Sequence, residues 1–246
     1  MNWPHQLLLA EVSSGARRFI LWSFPLLTFL VLGIDSRQLA ALGFDGQALS
    51  NLLAVGYFLL LLTALRPEQR LMALIFVPFS AIGEGIFSLL FGLYTYRLSM
   101  VPLYVPFGHG ILFSMGLLVS ELAAVRQRQE LLRPIFISIY MVLFGGAILL
   151  LQDSLSAIFG LVFLWVLRRK GYQPLYFIMG LLVLFIELTG TYWGCWAWTP
   201  QPFGISWLHA TNPPVGAFAC YVLADLGVMK LTRRLKPRLG LDQQTA

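Results

Sequence analysis

Residues 49–93 read LSNLLAVGYFLLLLTAL, RPEQR and LMALIFVPFSAIGEGIFSLLFGL, two long apolar segments joined by a short polar connection. A transmembrane helix needs about 20 mainly apolar residues, and both segments are near that length. Arg66 and Arg70 lie in the connection, and basic residues beside transmembrane helices favour the cytoplasmic side. The stretch therefore predicts a membrane-spanning helical hairpin with a cytoplasmic turn. Its second helix carries a single acidic residue, Glu84, near the middle.

Composition extends this interpretation to the whole chain. Of the 246 residues, 58% are hydrophobic and 11% are charged, whereas soluble domains carry about 25% charged residues. Most of the surface therefore cannot face water. Cys195 and Cys220 are the two cysteines, too few for a disulfide framework. The first 16 residues lack a basic start followed by an apolar core, so we expect no cleaved signal peptide.

Eight apolar segments are predicted to span the membrane, which makes the fold class an all-α integral membrane protein with a single domain over residues 1–246. The predicted spans are Phe19 to Ile34, Leu49 to Leu65, Leu71 to Leu93, Val105 to Val125, Ile135 to Leu151, Leu155 to Leu167, Leu175 to Trp193 and His209 to Leu231. Between the fifth and sixth lie little more than Gln152, Asp153 and Ser154. This tight polar break predicts a helical hairpin, with one long bent helix as the alternative.

The distribution of basic residues supports an even number of spans. All of the 17 Lys and Arg residues except Arg37 and Arg97 fall before the first segment or after the second, fourth, sixth and eighth, and the positive-inside rule assigns that side to the cytoplasm. The net charge of +6 then faces anionic lipid, so we expect no nucleic-acid partner. Residues 1–16 and a flexible tail over 237–246 are predicted to be cytoplasmic, as in a bacterial inner-membrane protein. The sequence does not determine the oligomeric state.

A pattern in the third segment recurs in the seventh. Glu84 is followed by GLYTY at 92–96, and Glu187 is followed by GCWAW at 194–198; each motif then leads to prolines and a histidine. The pattern suggests a parallel 4+4 internal repeat, in which each half contributes four helices in the same orientation. Chance similarity between two apolar sequences is the alternative.

Glu84 and Glu187 are the principal candidate catalytic residues. An ionised carboxylate at mid-depth in a membrane costs several kcal/mol unless it faces a cavity or a partner. A carboxyl group that is kept neutral there could donate a proton in acid catalysis. The alternative is a structural role, in which each Glu hydrogen-bonds to a neighbouring helix. Two Glu residues at matching positions favour a function.

His109 and His209, near the outer ends of the fourth and eighth segments, are further candidate catalytic residues. With the two Glu residues they could form a two-Glu, two-His metal site, but the short His-x-His and Glu-x-x-His spacings are absent. We therefore expect neither a metal nor another cofactor. The alternative is that both histidines hydrogen-bond to loop backbone at the membrane interface.

Two aromatic pairs, an arginine and an asparagine are candidate substrate-binding residues on the outer side. They are Tyr94, Tyr96, Trp196, Trp198, Arg97 and Asn212. Aromatic faces stabilise cations, although Trp and Tyr also mark membrane interfaces in general. Arg97 could bind an anionic headgroup or simply extend to the interface. Asn212 precedes two prolines, and such irregular backbone at membrane depth indicates a nearby cavity or packed protein.

The stretch from Glu84 through Gly92-Leu93-Tyr94-Thr95-Tyr96 to Val101-Pro102-Leu103-Tyr104-Val105-Pro106 resembles the membrane-embedded carotenoid hydratases, the family that includes bisanhydrobacterioruberin hydratase. Members of that family show an intramembrane Glu, a Gly-x-Tyr-x-Tyr element and a Val-Pro turn in this order. The resemblance covers roughly a tenth of the chain. It implies cofactor-free acid chemistry on a polyprenoid.

We therefore expect an intramembrane enzyme that acts on a lipid or isoprenoid, such as a carotenoid, and hydrates or cyclises a double bond. Glu84 or Glu187 would protonate the double bond, the aromatic pairs would stabilise the cation, and water or an internal double bond would react with it. A small proton-coupled transporter and a non-catalytic assembly or lipid-binding protein are the alternatives. A closed apolar pocket that reaches both Glu residues favours the enzyme, and a polar path through the bundle favours transport.

Overall fold

The computed structural model describes residues 12–239 and 241. Predictions that concern residues 1–11, 240 and 242–246, which include most of the N-terminal segment and of the tail, lie outside the described residues. In chain order the helices are α1 (Ser14–Ile34), α2 (Arg37–Ala41), α3 (Gln47–Ala64), α4 (Pro67–Glu84), α5 (Tyr104–Ser120), α6 (Ala123–Gln127), α7 (Gln129–Leu149), α8 (Ser154–Arg169), α9 (Pro174–Tyr192) and α10 (Phe218–Leu235). Two short strands are β1 (Tyr94–Tyr96) and β2 (Trp196–Trp198).

Within the described residues, six helices are long and apolar enough to cross a membrane. They cover Ser14–Ala41, Gln47–Ala64, Pro67–Leu90, Gln129–Leu149, Pro174–Tyr192 and Val215–Leu235. At the positions of the fourth and sixth predicted spans, α5 has 17 residues and α8 has 16, and both fall short of the length of these six. The prediction of an all-α membrane protein is confirmed. By length and composition, six of the eight predicted spans correspond to helices that could cross a membrane.

The tight polar break between the fifth and sixth predicted spans does form a hairpin. The helices α7 and α8 pack against each other, which excludes one long bent helix. Asp153 caps the N-terminus of α8, because its Oδ1 accepts a hydrogen bond from the Ser156 backbone N–H at 2.8 Å. A side-chain acceptor at this position satisfies a donor that the first helical turn would otherwise leave unpaired.

Four helices, α4, α5, α9 and α10, meet at the centre of the bundle and position the candidate site. Of these, α5 packs against α4 and α9, and α10 also packs against α4 and α9. The helices α3 and α8 pack against α5 and α10, respectively. The helix α4 carries Glu84 at its last residue and continues as a π-helical segment, Gly85–Leu90. Such π-helical turns occur frequently at functional sites. The acidic residue of α9 is Glu187, so both predicted carboxyl groups lie on central helices.

The eighth predicted span begins later than expected. The prediction started it at His209, but α10 begins at Phe218, after a 3-10 turn over Val215–Ala217. Proline has no N–H to donate and disfavours helical backbone in the residue before it, so Pro213 and Pro214 prevent the helix from extending backwards. The Asn212–Pro213 peptide bond is cis. Because α10 begins only at Phe218, His209 lies in the preceding loop, and its predicted place at the end of a helix is wrong.

Candidate functional site

Two glycines allow the chain to turn back from α4 and α9 toward the centre. Gly92 has φ +61° and Gly194 has φ +68°, a left-handed conformation that costs glycine little and other residues more. Two residues after each glycine a strand begins. Ser88 fixes the first of these turns, since its hydroxyl donates to the Tyr94 carbonyl oxygen at 3.0 Å.

The strands β1 and β2 pair with each other in an antiparallel ladder. Its register places Tyr94 opposite Trp198, Thr95 opposite Ala197 and Tyr96 opposite Trp196. Because side chains alternate along a strand, the two Tyr and the two Trp share one face. All four are at least 92% buried. The ladder thus brings both predicted aromatic pairs to a single place.

Glu84 accepts three hydrogen-bonding contacts from aromatic side chains. Its Oε2 lies 2.8 Å from the Tyr94 hydroxyl and 2.6 Å from the Tyr96 hydroxyl, and both phenols donate. Its Oε1 lies 3.0 Å from His109 Nε2. Glu84 is 5% exposed. Burying a carboxyl group costs free energy, and hydrogen bonds to these three partners offset that cost.

Glu187 has the same arrangement with a different set of donors. Its Oε2 accepts from the indole N–H groups of Trp196 at 2.9 Å and Trp198 at 3.0 Å. Its Oε1 accepts from the Tyr221 hydroxyl at 3.0 Å. Glu187 is 3% exposed. Each carboxyl group is therefore held by the aromatic pair that follows it in sequence and by one ring from a central helix.

The two carboxyl groups are joined through their helix-borne rings. The imidazole of His109, on α5, stacks on the phenol of Tyr221, on α10, with ring centroids 4.6 Å apart and an interplanar angle of 11°. We call Glu84, His109, Tyr221 and Glu187 the central cluster. Its four members come from four different helices, α4, α5, α10 and α9 in that order.

The donors around the two carboxyl groups differ in what they permit chemically. An indole N–H can only donate, whereas a phenol can donate or accept and an imidazole can gain or lose a proton. The two Trp side chains can therefore only donate to Glu187 and exchange no proton with it. Around Glu84, the phenols can reorient and His109 can exchange a proton with the carboxyl group. The Glu84–His109 pair is the part of the cluster suited to carry a mobile proton.

A cavity of about 380 Å³ lies between α4 and α10 and reaches the central cluster. Its wall is mainly apolar. It includes four side chains that are also exposed on the outer surface of the bundle: Phe79, Ile82, Ile86 and Leu223. We call this cavity the lateral cavity. It connects the cluster with the apolar surface that a membrane protein presents to lipid.

A second and smaller cavity, of about 80 Å³, lies between α1, α5 and α9. It is also mainly apolar. Both cavities are lined by the central cluster and by one of its tyrosine donors: Glu84, Tyr94, His109, Glu187 and Tyr221. A cavity of about 150 Å³ holds a benzene molecule, so the smaller one has room for a group of a few atoms beside the carboxyl groups.

His209 and Asn212 do not line either cavity. His209 is exposed; its N–H donates to Ser154 Oγ at 2.8 Å, and its carbonyl oxygen accepts from the Leu155 N–H. Both contacts are made by the His209 backbone, and they tie this loop to the start of α8. Asn212 Oδ1 accepts from the Trp198 backbone N–H at 2.9 Å. Asn212 therefore supports β2 and does not face the space beside the cluster.

Arg97 lies away from both cavities and is paired with two carboxylates. Its Nη2 lies 2.5 Å from Asp35 and 2.5 Å from Asp45, and its side chain is 8% exposed. Tyr104 adds a hydrogen bond to the other oxygen of Asp35 at 2.8 Å. The hydrogen bond from Arg97 holds the pKa of Asp45 below its usual value. The position indicates a tie between loops rather than a headgroup site.

The two-Glu, two-His metal site that the sequence analysis considered does not form. His209 sits in the loop before α10, whereas Glu84, Glu187 and His109 belong to the central cluster. Among residues 12–239 and 241, no group of three or more His, Cys, Asp or Glu side chains is placed to hold a metal ion.

Sequence reasoning missed Tyr221 as a site residue. The repeat pattern led to His209 as the counterpart of His109, because both are histidines that follow a proline-rich turn. In the structure, Tyr221 takes the place opposite His109. The loop before the last helix is longer than its counterpart in the first half, so the residue opposite His109 comes later in the sequence than the repeat pattern suggests. A search of the last helix for any aromatic side chain that can hydrogen-bond would have found Tyr221.

Comparison of the chain with models of known protein families, with curated proteins and with solved structures finds no match. The fold and the site alone define the class of this protein. It is a helical membrane protein with two buried carboxyl groups that are joined through aromatic hydrogen-bond donors.

Proposed function

We propose that this protein is an intramembrane enzyme that acts on an apolar lipid or isoprenoid by acid chemistry at a carbon–carbon double bond. The observation that carries the proposal is the lateral cavity, in which an apolar path reaches two buried carboxyl groups, one of them paired with a histidine. Intramembrane carboxyl groups are functional candidates by default, and here a cavity leads to them.

The two carboxyl groups have different roles in the proposed step. The Glu84–His109 pair gives a proton to one carbon of the double bond, and the π electrons form the new C–H bond. The other carbon of the double bond becomes a cation. In the proposed step Glu187, whose Oε2 accepts from two indole N–H groups, is the anion that stabilises this cation by charge. In a hydration, water forms a bond to the cation and loses a proton, which returns to the Glu84–His109 pair. Loss of a proton from a neighbouring carbon to the Glu84–His109 pair instead gives an isomer. In a cyclisation, the π electrons of an internal double bond form a carbon–carbon bond to the cation, and the new cation then loses a proton to the same pair.

The lateral cavity supports an apolar substrate that is longer than the cavity. Its wall merges with side chains exposed on the bundle surface, such as Ile82, which is 66% exposed. A chain could remain in the bilayer while its reacting end occupies the site. The resemblance to carotenoid hydratases around Glu84 and the Tyr pair suggests a carotenoid-like polyprenoid as the first substrate class to test.

We further propose that α5 and α8 also cross the membrane, which gives eight spans with both termini cytoplasmic, as in a bacterial inner membrane. The helix α5, with 17 residues, reaches the lower end of the range of about 17–25 residues for a span, and α8 is one residue shorter. The alternation of basic loops supports the same count.

The strand register supports the 4+4 internal repeat. Aligning GLYTY with GCWAW makes Thr95 and Ala197 counterparts, and these two residues lie opposite each other in the ladder. A two-fold axis pairs the central residue with its own counterpart and exchanges the flanking ones. Tyr94 and Tyr96 do pair with the counterparts of each other, Trp198 and Trp196.

The test is mass spectrometry of lipid extracts from cells that make carotenoid precursors and express the wild type, Glu84→Gln, Glu187→Gln or Glu68→Gln. Glu68 is an acid that pairs with Lys236 away from the central cluster and serves as the control. We expect a new product, heavier by one water or isomeric with its precursor, in the wild type and the control only. Unchanged product in both cluster variants would refute the mechanism.

A proton-coupled transporter is the rival that the same variants can distinguish. Both cavities that reach the cluster are mainly apolar, which favours a lipid reactant over a polar solute. Proton-dependent uptake by reconstituted vesicles, lost in Glu84→Gln without any change in lipid composition, would favour transport instead.

A further inference from the structure

The opening of the lateral cavity lies on two helices. Of the described residues that line this cavity, the exposed ones are all apolar and lie on α4, its π-helical continuation and α10: Phe79, Ile82, Ile86 and Leu223. The strands also contribute to the wall, but their residues there, Tyr94 and Trp198, are buried. The cavity therefore opens sideways between α4 and α10, toward the hydrocarbon of a membrane.

The start of α4 and the end of α10 lie side by side at one end of the bundle. Arg66 directly precedes α4, and Arg233 and Arg234 lie in the last turn of α10. Lys236, just after α10, pairs with Glu68 in the first turn of α4 at 3.1 Å. We call this end of the bundle the basic end. It serves as the reference for the depth of the opening.

The opening lies in the half of the bundle that is farther from the basic end. The helices that could cross the membrane here cover Pro67–Leu90 and Val215–Leu235. Phe79 lies at the middle of the first helix, and Ile86 lies seven residues, about 10 Å, farther from the basic end. Leu223 also lies on the far side of the middle of its helix. In a hydrocarbon core about 30 Å thick, the opening therefore faces the leaflet opposite the basic end.

Packed side chains end the cavity on the side of the basic end. The ring of Phe79 lies against Gly227 of α10, where an added Cβ would come within 3.0 Å of the ring. Closer to the basic end, Ala73 of α4 and Val228 of α10 are 0% exposed and belong to one hydrophobic core. Gly227, Ala73 and Val228 do not line the cavity. The lateral cavity therefore stops at Phe79, near the middle of the membrane.

The smaller cavity between α1, α5 and α9 adds no second lateral opening. Of the described side chains that line it, none is exposed. Of the two cavities that reach the carboxyl groups, the lateral cavity is thus the one that lipid can enter.

We propose that the lateral cavity takes the hydrocarbon chain of a lipid from the leaflet opposite the basic end. The wall is mainly apolar up to the carboxyl groups, which fits a hydrocarbon chain, whereas a polar headgroup would lose its hydration there without enough partners. With the proposed topology, this is the leaflet that faces away from the cytoplasm. The inference rests on the proposed function for the reaction that follows, but the entry of a chain can be measured without any reaction.

Photo-crosslinking from one leaflet at a time tests the inference. A lysophospholipid with a diazirine halfway along its chain is added to right-side-out and to inverted membrane vesicles that contain the full chain. Its polar headgroup keeps it in the leaflet that it enters, and mass spectrometry identifies the labelled residues. Phe87 and Cys220 line the cavity without being exposed, so label at these residues reports a chain inside it.

Two exposed residues of α7 identify the leaflet that is labelled. The helix α7 begins shortly after Glu121, which pairs with Arg66 at the basic end. Leu131 lies near this start and is 63% exposed, and Leu149 lies at the other end and is 79% exposed. We expect label at the cavity residues in the vesicles that label Leu149, about tenfold above that in the vesicles that label Leu131.

A variant that narrows the cavity separates a chain inside it from lipid on the surface. Gly83→Leu should lower the label at Phe87 and Cys220 about tenfold, the occupancy lost when roughly two methylene groups of the chain lose their contacts. Gly56→Leu should leave it unchanged. Should Gly83→Leu fail to fold, Ile82→Trp obstructs the opening from a position that is 66% exposed and gives the same comparison.

Three results would overturn the inference. Equal label at Phe87 and Cys220 in both kinds of vesicle, or label that accompanies Leu131, would contradict the leaflet assignment. Label that a folded Gly83→Leu leaves unchanged would show that no chain enters the cavity. One-sided label in a protein that makes no lipid product would refute the proposed reaction and support this inference, and a product together with two-sided label would do the reverse.

Discussion

The ring of His109 stacks on the ring of Tyr221 with centroids 4.6 Å apart, and each ring is bonded to a different buried carboxyl group. His109 contacts Glu84 at 3.0 Å and Tyr221 donates to Glu187 at 3.0 Å. One stacked pair therefore couples the two acids across the centre of the bundle. Altering either ring should affect both halves of the site.

Tyr221→Phe should destabilise the protein while leaving the stack on His109 in place. The variant removes one of three donors to a buried carboxylate, and a hydrogen bond to a charged group contributes about 2 kcal/mol. Thermal unfolding in detergent measures the loss. Tyr192→Phe is the control, because Tyr192 is 74% exposed. Equal unfolding temperatures for the two variants would show that the Tyr221 hydroxyl has no role in the cluster.

Gly190→Ala should disrupt the Glu187 half of the cluster. A Cβ at Gly190 would overlap the indole ring of Trp196, whose N–H donates to Glu187. Overpacking of this kind costs about 1–3 kcal/mol. The matched control is Gly56→Ala, where no atom lies within 4 Å of the new Cβ and where Ala favours the helix by up to about 1 kcal/mol. Tryptophan fluorescence and unfolding of both variants give the comparison, and a neutral Gly190→Ala would contradict the packing.

Gly83→Leu should close the lateral cavity without unfolding the protein. Gly83 lines the cavity on α4, and a Cβ there meets no atom within 4 Å, so the larger side chain grows into the open space. We expect product formation to fall at least tenfold with an unchanged unfolding temperature. Gly56→Leu, on the surface of α3, is the control for a leucine placed elsewhere. Full product formation by Gly83→Leu would argue against lipid access between α4 and α10.

The two carboxylates that bind Arg97 should differ in their effect on stability. Asp35 is 0% exposed, and loss of one partner of a buried ion pair costs about 3–5 kcal/mol, so Asp35→Asn should be strongly destabilising. Asp45 is 60% exposed on its side chain, and Asp45→Asn should have little effect. Chemical unfolding of both variants measures the difference, and a similar loss for both would refute the assignment.

The same ion pairs predict how stability depends on pH. Arg97 holds the pKa of Asp45 below its usual value, so the contribution of Asp45 is present at neutral pH and is lost only as the pH falls through that lowered pKa. Mild acidification should therefore leave this pair intact. Comparing acid unfolding of the wild type with that of Asp45→Asn would show the small difference disappear at low pH.

Much of the fold could be predicted because it follows from local composition. The apolar segment at 49–65 and its Arg-containing connection identify a membrane hairpin without any tertiary information, and α3 indeed covers Gln47–Ala64. The start of α10 was wrong by nine residues, because hydropathy does not register that Pro213 and Pro214 stop a helix. The presence of both helices was predictable from composition. The start of α10 depended instead on the geometry of proline.

The candidate site could be predicted only in part. Two buried acids and two aromatic pairs at matching intervals are visible in the sequence, and the structure brings Glu84, Glu187 and their aromatic pairs together. The pairing of β1 with β2 is a contact about a hundred residues apart in sequence that no local pattern encodes. Arg97 contacts Asp35 and Asp45, Asn212 contacts β2, and Tyr221 contacts Glu187 and His109. These contacts join distant parts of the chain, so the three roles required the structure.

The central claim is that the Glu84–His109 pair delivers a proton to carbon, and one measurement tests it most directly. Membranes that contain the substrate pool are incubated with the reconstituted protein in heavy water, and the product is analysed by mass spectrometry. We predict one non-exchangeable deuterium on carbon for each wild-type product molecule, and no product with Glu84→Gln. A product that forms without deuterium on carbon, or that Glu84→Gln makes at the wild-type rate, would contradict the account.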